Sequence, residues 1–202
     1  MIKLYDTELS GNAYKVRLML ALLGLKYERA SLDLKAGQQK NPDYLAKNPR
    51  GQVPFLEDGA FLVRDSSAIL LYLALKYGNG KWYPKDIEGQ AEVQQWLATA
   101  TGDIAEGMAR ARAIALFNRP GDKAAAVKLA HDTLALMQTR LKQREWLATG
   151  EPTIADVACY PYAALSPQGG ISLANAPAVV AWMRRIEKLP GYVGMPGLPA
   201  QA

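Results

Sequence analysis

Residues 52–69 read Gln-Val-Pro-Phe-Leu-Glu-Asp-Gly-Ala-Phe-Leu-Val-Arg-Asp-Ser-Ser-Ala-Ile. Two short apolar runs, Val53–Leu56 and Phe61–Arg64, flank Glu57-Asp58-Gly59. Apolar runs joined by an Asp-Gly turn predict a β-hairpin. Ile69, Tyr72, Leu73 and Lys76 then follow an Asp65-Ser66-Ser67 start at helical spacing, which predicts a helix entered directly from the second strand. Proline removes a ladder donor and is tolerated in a strand only at an edge or a bulge. A bend at Pro54 leaves the Val53 main chain free to pair with an extended, peptide-like ligand.

Upstream of the hairpin, Ile2–Tyr5 reads as a strand. Val16, Met19, Leu20 and Leu23 mark one face of a helix that Gly24 stops. Tyr27–Leu32 reads as a second strand, and the βαβ order predicts a parallel pair joined by a right-handed crossover. A short helix or turn runs from Asn41-Pro42 to Asn48-Pro49. The predicted unit is βαβ followed by ββα on a mixed four-stranded sheet.

Downstream the pattern becomes helical throughout. Gly78-Asn79-Gly80 and Tyr83-Pro84-Lys85 mark a linker. The expected division is residues 1–78, a linker over 79–86, and an all-helical part over 87–202. Val93, Trp96, Leu97, Ala100, Ile104 and Met108 form one apolar stripe. Val127, Ala130, Leu134, Met137 and Leu141 form another, and both read as core. Thr153 and Asp156 have capping-box spacing. A helix over Ala178–Leu189 stops at Pro190-Gly191, and the tail from Gly194 to Ala200 reads as irregular.

The 202 residues contain one cysteine, Cys159, and one histidine, His131. Their number excludes an intramolecular disulfide, a CxxC redox pair and a Cys/His zinc site, and no metal is expected. Cys159 reads as a buried small residue and His131 as an ordinary helix residue. The formal net charge of +5 is scattered and forms no basic tail, so nucleic acid is not an expected partner. The longest apolar run, Leu18–Leu25, is too short to span a bilayer, and the first residues lack the pattern of a signal peptide. The chain reads as cytoplasmic, with no membrane partner.

Three places can carry chemistry. Ser10-Gly11-Asn12 lies at the N-terminus of the first helix, among unpaired N–H groups and the positive dipole end. A hydroxyl there can hold an anion or simply cap the helix. Gln52-Val53-Pro54-Phe55 offers a free main chain. Asp65 and Ser66 open the third helix, where the hydroxyl and first N–H groups suit a carboxylate and Asp65 suits an ammonium group. Together Asp65 and Ser66 fit an amino-acid head group, although each is also an ordinary capping residue.

In combination these segments resemble the cytosolic glutathione transferases. Ser10-Gly-Asn-Ala-Tyr-Lys-Val-Arg-Leu18 looks like the serine-type active-site segment of bacterial members. Asn48-Pro-Arg-Gly-Gln-Val-Pro-Phe-Leu56, Asp65-Ser-Ser-Ala-Ile69, Thr153-x-x-Asp156 and the Trp182–Tyr192 segment match further hallmarks in order. The resemblance implies a thioredoxin-like N-terminal domain, an all-helical C-terminal domain, a homodimer and glutathione as co-substrate. It implies that Asp65 and Ser66 take the γ-glutamyl ammonium and carboxylate, that Val53 beside Pro54 pairs with the cysteinyl part, and that Gln39 and Gln52 approach the glycyl carboxylate. Ser10 would donate to the sulfur, with Asn12 beside it or Tyr5 as the alternative donor. Tyr14, Met108 and Arg112 would line the second-substrate pocket, the two apolar residues as a wall and Arg112 facing an acidic group. The implied reaction is attack of a glutathione thiolate on a hydrophobic electrophile. Glutathione-dependent peroxide or disulfide reduction without a catalytic cysteine, and non-catalytic glutathione binding, are the other readings.

Overall fold

The computed structural model describes residues 1–198. The N-terminal part contains β1 (Ile2–Asp6), α1 (Gly11–Leu22), β2 (Tyr27–Ser31), α2 (Pro42–Lys47), β3 (Phe55–Asp58), β4 (Phe61–Arg64) and α3 (Ser66–Tyr77). The sheet order is β2-β1-β3-β4. β1 pairs parallel with β2, from Ile2 opposite Tyr27 to Asp6 opposite Ser31. β3 runs antiparallel to both β1 and β4. The hairpin turns at Gly59, whose φ of 62° lies in the left-handed region that glycine adopts without steric cost.

The strand predicted over Val53–Leu56 begins at Phe55, and the Val53–Pro54 peptide is cis. The β1–β3 ladder ends at the Tyr5–Phe55 pair, so the Val53 main chain takes no part in it. The helical part contains α4 (Ile87–Thr101), α5 (Arg110–Phe117), α6 (Lys123–Leu141), α7 (Ile154–Ala164) and α8 (Pro177–Glu187). All six residues of the first predicted stripe are buried, but they do not lie on one straight helix. α4 ends before Gly102, and a π-helical turn over Ala105–Ala109 leads into α5. Gly107 permits close packing here, since a Cβ on it would stand 2.8 Å from the Ala130 nitrogen on α6.

One continuous apolar core joins the two parts, with α1 buried between the sheet and α7. The α7 N-terminus is held by the predicted capping box. The Thr153 hydroxyl accepts from Ala155 N–H at 3.2 Å, and the Asp156 carboxylate accepts from Thr153 N–H at 2.9 Å. Asp156 also accepts from Leu147 N–H at 3.0 Å and from the Trp182 indole at 2.9 Å, tying α7 to α8. Cys159 is buried, with its thiol 3.5 Å from the Trp96 carbonyl. No helix among the described residues is long and apolar enough to cross a membrane. Of the predicted irregular tail, residues 194–198 form no helix or strand, and residues 199–200 lie outside the described part.

Candidate active site

Two cavities lie on either side of the first turn of α1. The smaller, of about 80 Å³, is lined by Asn12, Asn48, Arg50, Gln52, Val53, Pro54, Arg64, Asp65 and Ser66. The larger is an open cleft of about 760 Å³ between the Ser10 loop, residues 33–35, α5 and Tyr162.

The small pocket is polar because three capped or bent segments converge on it. Asn48 Nδ2 donates to the Gln52 carbonyl at 2.8 Å, and the Tyr44 hydroxyl donates to the same carbonyl at 2.6 Å. These bonds fix the segment that carries Val53. Asp65 is the N-cap of α3, where its Oδ1 accepts from Ser67 N–H at 2.8 Å and Ala68 N–H at 3.3 Å. The capping role and the pocket role are compatible, since a carboxylate has a second oxygen free. Asp65 has a φ of 73°, a conformation that costs a non-glycine residue about 1–3 kcal/mol. Ser66 is buried at the positive end of the α3 dipole. Arg50 and Arg64 add two guanidinium groups that the motif reading did not single out. Only their charge, inside segments already of interest, could have revealed them.

Ser10 is half-buried and is the N-cap of α1. Its Oγ accepts from Ala13 N–H at 3.1 Å, which leaves the hydroxyl proton available to a ligand in the cleft. The loop before it is clamped from two sides. Arg17 Nη2 donates to the Glu8 carbonyl at 3.0 Å, while Arg17 Nη1 pairs with the buried Asp6 carboxylate at 2.5 Å. Arg112 Nη1 on α5 donates to the Leu9 carbonyl at 3.0 Å, and its Nε donates to Gln168 at 2.6 Å. Arg112 is 3 % exposed and lines the cleft, and its Nη2 has no partner among the described residues. Burial disfavours its charge and lowers its pKa.

Several expected site residues lie elsewhere. Tyr14 is fully buried and donates its hydroxyl to the Val193 carbonyl at 2.7 Å, so it forms no cleft wall. Met108 is also fully buried, in the core stripe. The apolar wall is built instead by Leu9, Leu34, Ala113, Leu116 and Phe117. Gln39 lines neither cavity, and its amide nitrogen donates to the Leu34 carbonyl at 3.4 Å. Tyr5 lines neither cavity: its hydroxyl donates to Glu57 at 3.0 Å and its ring packs on Tyr44 and Phe55. Asn12 lines the small pocket and Ser10 the large cleft, on either side of one helical turn. Among the described residues no group of three or more His, Cys, Asp or Glu is placed to hold a metal ion.

Fold and site define a protein with a four-stranded α/β part followed by a helical part, carrying a small polar pocket and a larger open cleft on either side of the first turn of α1. Residues 1–75 match the family model for the glutathione S-transferase N-terminal domain, and residues 109–190 match the C-terminal one. Glutathione S-transferase 3 of Zea mays is 33 % identical over 204 residues, 95 % of this chain and 91 % of that protein. The crystal structure of a glutathione S-transferase from Pseudomonas fluorescens superposes with a TM-score of 0.91 at 32 % identity, covering 96 % of this chain and 98 % of that one. A glutathione transferase homolog from Drosophila mojavensis, with bound glutathione, superposes with a TM-score of 0.84 at 30 % identity, covering 94 % and 88 %. The chain belongs to the glutathione S-transferase family of enzymes.

Proposed function

We propose that this chain binds glutathione in the small pocket and activates its thiol at Ser10 for attack on a hydrophobic electrophile in the cleft. The observation that carries the reading is that the polar pocket reaches Asn12 and the cleft reaches Ser10, two residues apart at the first turn of α1. Asp65 takes the γ-glutamyl ammonium on its free oxygen, and Ser66 takes the γ-glutamyl carboxylate. The Val53 main chain pairs with the cysteinyl unit. Gln52 approaches the glycyl carboxylate, where Arg50 supplies the charge that glutamine lacks. The bound glutathione of the Drosophila mojavensis relative supports this choice of ligand.

The thiolate is the nucleophile, and a free thiol has a pKa near about 8.5. Ionising it near neutrality needs one to two pH units of stabilisation, roughly 1.4–2.8 kcal/mol. The Ser10 hydroxyl and the α1 dipole together supply that order of energy. No general base is required, because the thiol proton leaves to solvent. The apolar wall from Leu9 to Phe117 receives the electrophile, and Arg112 faces an acidic group on it. The exposed apolar side chains of Phe61, Leu62 and Leu75 on β4 and α3 support a second copy of this chain as partner.

The test is calorimetric titration of glutathione at several pH values, with Asp65→Asn and Ser10→Ala in parallel. Asparagine keeps the α3 cap and tolerates the positive φ. Asp65→Asn should weaken binding about tenfold or more, the loss of a charge-assisted hydrogen bond. Ser10→Ala should retain binding and move proton release to higher pH. Unchanged affinity in the first variant, or unchanged proton release in the second, refutes the reading.

A further inference from the structure

Tyr162 is the one residue of α7 on the cleft wall, beside Ser10 and Arg112. Its ring lies directly on the first turn of α1. A Cβ at position 11 would stand 2.7 Å from ring atoms Cε1 and Cζ and 3.1 Å from the hydroxyl oxygen, so glycine there is what admits the phenol. Two of the first-turn N–H groups have acceptors on Ser10. Ala13 N–H goes to the Ser10 hydroxyl, and Tyr14 N–H goes to the Ser10 carbonyl at 2.9 Å. The Asn12 main chain acts on the Tyr162 hydroxyl in the direction that lowers its pKa.

The Tyr162 side chain is otherwise without a polar partner. The residue is only 9 % exposed, and among the described residues no group accepts its hydroxyl proton. Two cations face the ring: the Lys15 ammonium of α1, 5.4 Å from its centroid, and Arg112 of α5, which acts on it electrostatically. Both strengthen the phenol as a donor. Burial raises its pKa, so it keeps its proton at neutral pH.

We propose that Tyr162 is a second hydroxyl donor to the glutathione sulfur, presented by the helical domain opposite Ser10. The proposal rests on the thiolate-activating reading above. No bond of Tyr162 breaks: the thiol proton leaves to solvent, and both hydroxyls donate hydrogen bonds to the sulfur anion. The cation-flanked phenol and the α1 cap thus act on one charge from the two domains.

The experiment follows the thiolate absorbance of bound glutathione against pH in the wild type, Tyr162→Phe and Ser10→Ala, with affinities from calorimetry. Phenylalanine keeps the ring on Gly11 and over Lys15. Tyr162→Phe should leave affinity within about twofold and raise the midpoint by about one to two pH units, the effect of one hydrogen bond to a charged group. A Tyr162→Phe midpoint equal to the wild type's, with Ser10→Ala raised, overturns the proposal and leaves the proposed function standing. Midpoints unmoved in both variants overturn thiolate activation by this centre and the proposal with it. Loss of glutathione affinity in Tyr162→Phe also overturns it, since the hydroxyl would then serve binding or folding.

Discussion

Replacing Lys15 with methionine should stabilise this protein, and the size of the gain should depend on pH in a defined way. Lys15 is 1 % exposed, on the part of α1 that packs against α7. Burial pulls its pKa down from 10.5 to about 8, while the nearby Cys159 and Asp65 oppose that fall without cancelling it. At about 1.4 kcal/mol per pH unit, the charged ammonium costs the folded state on the order of 3 kcal/mol. The Tyr162 ring returns up to about 2 kcal/mol of that as a cation–π contact. The net gain for Lys15→Met is therefore about 1–3 kcal/mol, since methionine fills a similar volume with no charge to desolvate. Below pH 8 the lysine is protonated in both folded and unfolded chains, so the cost is present in full and flat. Between pH 8 and 10.5 the unfolded chain keeps the proton that the folded chain has lost, and wild-type stability rises. Urea denaturation of both proteins from pH 6.5 to 10.5, at one protein concentration, reads the difference directly. It should be constant up to about pH 7.5 and shrink toward zero near pH 10.5. A variant less stable than wild type by the same amount at every pH would refute the reasoning, because the ammonium would then be a net favourable contact.

Asp156→Ala strands the buried N–H groups of Leu147, Thr153 and Trp182, at about 1–3 kcal/mol each, and should cost a large part of total stability. Asp156→Asn should cost less, because its amide can face Thr153, whose hydroxyl can turn to accept. Equal losses in chemical denaturation would show that the carboxylate's bonds to Leu147 and Trp182 contribute little. Gly11→Ala places a methyl against the Tyr162 ring and should destabilise by about 1–3 kcal/mol, outweighing the gain of roughly 0.5–1 kcal/mol that alanine brings to a helix. In a Tyr162→Ala background the same change should become stabilising. A double-mutant cycle with no coupling would mean that the two residues do not compete for space.

The sheet and its connections were legible because each element carries its own period. The hairpin was marked by Asp58-Gly59, α3 by the Asp65 cap and α1 by the stripe from Val16 to Leu23. The capping box at Thr153 was legible for the same reason, since its two residues are three apart. The wall of the cleft was not. Met108 continues the buried stripe of Val93–Ile104, so its own spacing argued for the core. Tyr14 sits on a helix whose residues 13–20 are all buried, and a helix covered on every side shows no stripe from which to read direction. α7 is the same, with every residue from Ile154 to Ala164 buried, so nothing local distinguishes Tyr162 from its neighbours. Its position became visible only when α7 was laid across Gly11.

That difference follows from how the site is divided between the domains. The small polar pocket is made of caps, a bend and strand ends within residues 12–66, which are local devices with local sequence signals. The wall of the cleft comes largely from α5 and Tyr162, about a hundred residues later, and its placement depends on the π-turn and on the approach of Gly107 to α6. The two halves are not independent. Arg112 stands in that wall while its Nη1 holds the Leu9 carbonyl next to Ser10. On the proposed function, a substitution that moves α5 to admit a different electrophile therefore also pulls on the loop that carries Ser10, the proposed donor. Farther along α5, Phe117 holds its ring 5.5 Å from the Arg112 guanidinium carbon and shares that load, whereas Leu116 can vary without it. On the proposed function, Leu116 is therefore where the cleft can change its specificity at least cost to thiol activation.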